Sequence, residues 1–253
     1  MRTLLLGCMC SLFAFVLMGC QTTHHDMTPA LPEYQFEQNS DYMQHIAQAQ
    51  QQAEANNKLL LLVLGAQWCH DSRGLASNFS TPEMQSILQQ RFVVQFVDVA
   101  YFDDLHHVPQ LFGYHAIFGT PTVLVIDPKS AQVLNHQTVS KWQSAHSVPQ
   151  SEYVEFFSQI GTQQVSNAPT SDELKQFIEQ QVARLKQAYD HQRPIWADVR
   201  NGTGDEAELS KVATEVWKFR VQLQKDIHRL ESELMKDPNS QLNLPNYPNF
   251  SWQ

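Results

Sequence analysis

Between Lys58 and Gly65 six apolar residues follow one another, Leu59-Leu60-Leu61-Leu62-Val63-Leu64. Their length and flanks predict a strand buried on both sides. Ahead of it, Tyr42, Ile46, Ala49 and Ala53 recur at helical spacing in DYMQHIAQAQQQAEANNK, which predicts an amphipathic helix with a sparse apolar face. Thr81-Pro82-Glu83 opens a further helix through Gln90, with Thr81 as N-cap and Pro82 in its first turn. FVVQFVD, Phe92 to Asp98, reads as a second strand and is followed by an irregular piece that runs to Gly119-Thr120-Pro121. Thr122 to Ile126 and Gln132 to Val139 read as a hairpin closed by Asp127-Pro128-Lys129-Ser130. A closing helix spans Pro149 to Ile160, with Tyr153, Phe156, Phe157 and Ile160 inward and Gly161 as its stop. This order predicts an α/β fold, a mixed sheet flanked by helices on both faces.

Past Gly161 the pattern becomes purely helical. Thr170-Ser171-Asp172-Glu173 has capping-box spacing, and Leu174, Phe177, Ile178, Val182, Leu185 and Tyr189 share one helix face. Pro194 interrupts, Gly202 and Gly204 mark a loop, and Leu209, Val212, Val216, Leu223, Ile227, Leu230 and Leu234 form a second stripe. The expected C-terminal helical hairpin needs a cover for that stripe, supplied by the domain itself or by a partner protein. The tail DPNSQLNLPNYPNFSWQ has no regular pattern.

The N-terminus has a different character. Arg2 precedes an apolar stretch of signal-peptide length that ends in Leu17-Met18-Gly19-Cys20, too short for a transmembrane span. The last four residues resemble the lipobox of bacterial lipoproteins. That resemblance implies cleavage before Cys20, acyl chains on its thiol, and membrane anchoring through the N-terminal lipid on the periplasmic side of the cell envelope. Gln21, where retention at the inner membrane would call for Asp, implies the outer membrane. Residues 1–19 are then a signal peptide, and 20–40, polar with Pro29 and Pro32, a tether. Residues 41–161 form the α/β domain and 162–253 a helical extension with an irregular tail.

Composition removes several function classes. Seventeen basic against 26 acidic residues give a net charge of −9, and without Arg2 the balance is 16 − 26 = −10, so no nucleic-acid partner is expected. Of the four cysteines, Cys8 and Cys10 leave with the signal and Cys20 takes lipid, which leaves Cys69 without an intramolecular disulfide partner. His24-His25-Asp26, His106-His107 and His115 match no zinc-ligand spacing even with Cys69 and His70 added, so neither a metal nor a cofactor is expected. Asp103, Asp104, His106 and His107 are expected on an exposed loop where they select clients.

Cys69 lies in GAQWCHDS, just past the apolar strand. Strand KLLLLVL, then Trp68-Cys69-His70-Asp71-Ser72 leading into a helix, then Gly119-Thr120-Pro121 opening a strand, resembles the thioredoxin superfamily over roughly residues 41–161. The resemblance implies a cis Pro121, with Thr120 and Pro121 as a ledge for an extended client and Trp68, His70 and Asp71 around it. The superfamily's usual second cysteine is replaced by Ser72, and its buried acid six residues before the nucleophile by Val63. A thiol at a helix N-terminus is favoured as thiolate, and Ser72 could hydrogen-bond to it without resolving a disulfide. Exchange proceeds by thiolate attack through a mixed disulfide. A lone Cys69 can therefore attack client protein thiols or disulfides, but another thiol must complete the reaction. Isomerisation, client capture and reversible thiol protection remain open, as does a redox-inactive adaptor that uses the fold and the C-terminal helices only for binding.

Overall fold

The computed structural model describes residues 34–103, 105–161 and 171–253. The signal peptide, Cys20, the first part of the tether, the His24-His25-Asp26 cluster, Asp104 and Thr170 lie outside them.

The apolar run forms β1 (Leu59–Gly65), buried on both faces as its composition demands. It occupies the middle of a four-stranded sheet of order β2-β1-β3-β4, parallel to β2 (Phe92–Asp98) and antiparallel to β3 (Thr122–Asp127). Alternation along β1 divides the core. Leu60, Leu62 and Leu64 face α1 (Tyr42–Ala55) and the C-terminal helices. Leu61 and Val63 face α2 (His70–Phe79), α3 (Pro82–Arg91) and the later helix α5 (Gln150–Gln159), where Phe79 meets Tyr153 and Phe157 edge to face and Trp142 packs tilted on Tyr153. The short helix α4 (His107–Gln110) sits within the crossover from β2 to β3. The architecture is the expected α/β mixed sheet with helices on both faces, extended by a C-terminal helical hairpin.

Four local expectations are corrected. The strand expected over Gln132 to Val139 is only Gln132–Val133, β4. Asn135 takes over the pairing: its buried amide accepts from Val125 N–H at 2.8 Å and donates to the Val123 carbonyl at 2.9 Å. A side chain thus satisfies the β3 backbone, and the chain is released into a 3₁₀ segment, His136–Ser147, kinked at Ser144. Thr81 is the N-cap residue of α3, as expected, but its side chain makes no capping bond; its hydroxyl donates instead to the Asn78 carbonyl at 2.8 Å. The next cap falls one residue later than the capping-box spacing suggests, with Ser171 Oγ accepting from Leu174 N–H at 3.1 Å.

The fourth correction is the largest. Pro194 does not end a helix: α6 runs unbroken over Asp172–Arg200. An interior proline costs a helix about 3 kcal/mol. Contacts on either side of it offset that loss. Arg193 pairs with Asp103 at 3.2 Å and donates to the Phe102 carbonyl at 2.7 Å, and the Trp196 ring packs on Trp68 with centroids 4.7 Å apart.

After the loop at Gly202 and Gly204, α7 (Glu206–Lys236) returns antiparallel, capped by Asp205. The apolar stripes of both helices are covered by the α/β domain. The tail has no regular structure, as expected, yet it packs on the hairpin: Leu242 and Phe250 are buried, and the Tyr247 hydroxyl donates to Asp226 at 2.8 Å. At the other end, the last residues of the expected tether also dock. Phe36 is buried, and its ring meets Phe96 with centroids 4.8 Å apart. Among the described residues no helix is long and apolar enough to cross a membrane.

Candidate functional site

β1 ends at the sheet edge and hands the chain through Ala66-Gln67-Trp68 to Cys69, which is the N-cap residue of α2. Its backbone is extended (φ −79°, ψ 124°), and its carbonyl accepts the first helical hydrogen bond, from Arg73 N–H at 3.1 Å. The half-buried thiol therefore lies at the positive end of the helix, beside N–H groups without intrahelical partners.

The Thr120–Pro121 peptide bond is cis, and the Cys69 thiol donates to the Thr120 carbonyl at 3.3 Å. Residues 51 positions apart thus meet at the sulfur. Ser72 is fully buried, and its Oγ accepts from Ala66 N–H at 3.3 Å, so its hydroxyl braces the turn between β1 and α2. Val63 is also fully buried, among apolar side chains.

Trp68, His70 and Asp71 each have a partner that sequence reasoning did not identify. The Trp68 indole donates to the Ala100 carbonyl at 2.6 Å, and its ring lies against Tyr101, Phe102 and Trp196. Ala100 and Phe102 both have left-handed backbone (φ 45° and 58°), uncommon for residues with a Cβ, and that local path turns the Ala100 carbonyl toward the indole. His70 is exposed, and its ring centroid lies 3.7 Å from that of His146 in the 3₁₀ segment. Asp71 accepts from the His146 N–H at 3.1 Å. Gly74 permits this approach, because a Cβ there would lie 2.8 Å from the His146 Cα.

The C-terminal hairpin also reaches the site. The Arg220 guanidinium of α7 donates to the Phe118 carbonyl, lies over the Phe102 ring, and packs so closely that a Cβ on Gly119 would be 2.6 Å from it. The segment leading into Thr120 and Pro121 is thus braced by α7, and Trp68 by α6. Nothing in the local pattern around Cys69 signals either contact; only the folded path of a helix a hundred residues downstream creates them.

The histidines of the crossover separate. His106 is buried rather than exposed: its Nδ1 accepts from Ile117 N–H at 3.1 Å, and its ring stacks on Tyr189. The His107 Nε2 lies 3.3 Å from the Tyr42 hydroxyl. Asp103 pairs with Arg193. Asp103 and His107 are exposed as expected, though each has a partner within the chain, and of the three only His106 departs from the expected exposure. His115 instead joins His136 and Glu231, two residues with no place in the sequence-based metal candidates, in a cluster whose donor atoms all lie within 4.8 Å of one another.

Residues 41–128 match a protein-family model described as thioredoxin-like. A search of curated proteins gives no match. Among solved structures, a disulphide isomerase from Xylella fastidiosa Temecula1 is similar over 49% of this chain and 94% of its own, at 23% identity and a TM-score of 0.45.

Proposed function

We propose that the protein is a lipid-anchored member of a bacterial cell envelope that forms mixed disulfides with client proteins through Cys69. The observation that carries this reading is the position of the thiol, at the N-terminus of α2 and 3.3 Å from the Thr120 carbonyl, with Ser72 in place of a second thiol. Cys69 thiolate attacks one sulfur of a client disulfide, the new S–S bond forms as the old one breaks, and the displaced client sulfur leaves as thiolate. Attack by another client thiol on the mixed disulfide then rearranges the client without net oxidation or reduction and returns Cys69. Where the client offers no such thiol, a separate thiol must release it.

Leu17-Met18-Gly19-Cys20 supports anchoring through Cys20, and Gln21 supports the outer membrane, with the domain facing the periplasm. A second reading, a redox-inactive adaptor, is favoured by Trp217, an indole 53% exposed on the outward side of α7.

Both are tested by acid-quenching cells, alkylating free thiols and resolving adducts from envelope fractions of wild type, Cys20→Ala and Cys69→Ser. Discrete adducts are expected from wild type, and their loss in Cys69→Ser. The wild type should sediment with membranes and Cys20→Ala should not. A full partner set that survives Cys69→Ser would favour the adaptor and end the exchange reading; unchanged sedimentation of Cys20→Ala would end the lipid anchor.

A further inference from the structure

Three distant segments converge near the carboxylate of Glu231 on α7. His115 comes from the crossover before β3, and His136 from the start of the 3₁₀ segment. The His115 Nε2 lies 2.7 Å from Glu231 Oε1, and the His136 Nδ1 lies 3.5 Å from Glu231 Oε2. The Glu231 side chain is only 4% exposed, whereas the two imidazoles are 20% and 16% exposed and reach solvent.

A carboxylate this deep is costly unless its charge and lone pairs are compensated. Here compensation is incomplete: neither Glu231 Oε2 nor His136 Nδ1 has a hydrogen-bond partner. The two atoms face each other at 3.5 Å. Two buried polar atoms this close, neither with a hydrogen bond, are what a cation between them would satisfy.

We propose that His115, His136 and Glu231 bind one Zn²⁺ ion, which ties α7 to the α/β domain. Two imidazoles and a carboxylate suit zinc, and bonds of about 2.0–2.2 Å in tetrahedral geometry place neighbouring ligand atoms about 3.3 Å apart. The observed separations, 2.7 Å to Oε1 and 3.5 Å to Oε2, lie on either side of that edge and involve different carboxylate oxygens. For the ion to enter, the proton between His115 Nε2 and Glu231 Oε1 must leave that edge, and a neutral imidazole carries it on Nδ1 instead. Water from the exposed side completes the fourth position. The site spans the segment leading to Thr120 and the helix that carries Arg220, so its ion would hold the client ledge and its brace together. It lies outside the thiol chemistry and stands whether or not Cys69 is reactive.

The test uses the full chain in a His24→Gln/His25→Gln background, which removes the N-terminal histidine pair. Zinc is titrated calorimetrically, metal content is measured after dialysis, and Co²⁺ is used as an absorbance probe. One zinc per chain and tetrahedral Co²⁺ bands are expected. Glu231→Gln and His115→Gln, each first checked by circular dichroism for native fold, should weaken zinc binding by more than about a hundredfold, since outer-shell substitutions alone cost about 10–100-fold. Zinc should also raise the melting temperature of the parent but of neither variant. Absence of stoichiometric zinc in the parent, or affinity undiminished in both folded variants, would overturn the proposal.

Discussion

A chain ending at Gly161 is expected to lose its native fold, although it retains every strand of the sheet and the whole of the Cys69 segment. The reason lies in what α6 and α7 cover. Tyr189 stacks on Phe102 with ring centroids 4.4 Å apart and donates to the Ile117 carbonyl at 3.1 Å; Gln224 donates to the Tyr114 hydroxyl at 2.9 Å; Arg220 donates to the Phe118 carbonyl. The crossover from Val99 to Phe118 has little secondary structure of its own, and it buries Val99, Phe102, Tyr114, Ile117 and Phe118 in the same core cluster as the hairpin. Burial of each large apolar side chain contributes about 1.5–3 kcal/mol, against a total stability of about 5–15 kcal/mol for a domain. Uncovering four or five of them removes most of that margin. Truncation should therefore give insoluble protein, or a dye-binding species without near-ultraviolet circular dichroism. A soluble monomer with cooperative unfolding and native aromatic signals would show that the hairpin is dispensable for the fold.

Ser72→Cys should have the other large effect, on chemistry rather than stability. Ser72 lies in the first turn of α2, three residues after the N-cap, where an N-cap side chain and the third helical residue come together. A thiol there is nearly the size of the hydroxyl it replaces and meets the mixed disulfide intramolecularly. Short connections give effective concentrations in the millimolar range or above, far over that of a dilute external thiol. Trapped client adducts are expected to fall at least about tenfold, and an internal disulfide between Cys69 and the introduced thiol, seen as the loss of two hydrogens by mass spectrometry, should appear. Adducts that persist at the wild-type level would mean that position 72 has no access to the sulfur.

Periodicity made the centre of the fold readable. The apolar run of β1, the FVVQFVD strand and the sparse stripe of α1 all form where their patterns place them, because each is buried by immediate layers of the domain. Elements at the edges were less legible. β4 stops early because a single buried amide, Asn135, replaces backbone pairing, and α6 passes through Pro194 because contacts with Trp68, Phe102 and Asp103 outweigh a local breaker.

The candidate site divides in the same way. Cys69 and the Thr120–Pro121 pair carry local signals and come together in space. Trp196, Arg220 and His146 carry none, since what they touch is decided by tertiary packing. His115 and Glu231 are 116 positions apart, so no spacing rule could pair them. Ser72 shows the limit of a motif-based role: its identity excludes a resolving thiol, but its buried hydroxyl is occupied by the Ala66 N–H.

The central claim is that the fold activates Cys69 to begin an exchange that only another molecule can finish. A protein beginning at Gln21 has Cys69 as its sole cysteine, so one reaction isolates it. The decisive measurement is the rate of mixed-disulfide formation with a small peptide disulfide, followed by intact-mass spectrometry for the folded and the urea-unfolded protein at the same pH. Faster adduct formation in the folded state is expected, with one peptide thiol released per chain and an adduct that persists until an external thiol is added. A folded protein that reacts more slowly than its unfolded form would contradict the claim and leave Cys69 an inert residue in a binding fold.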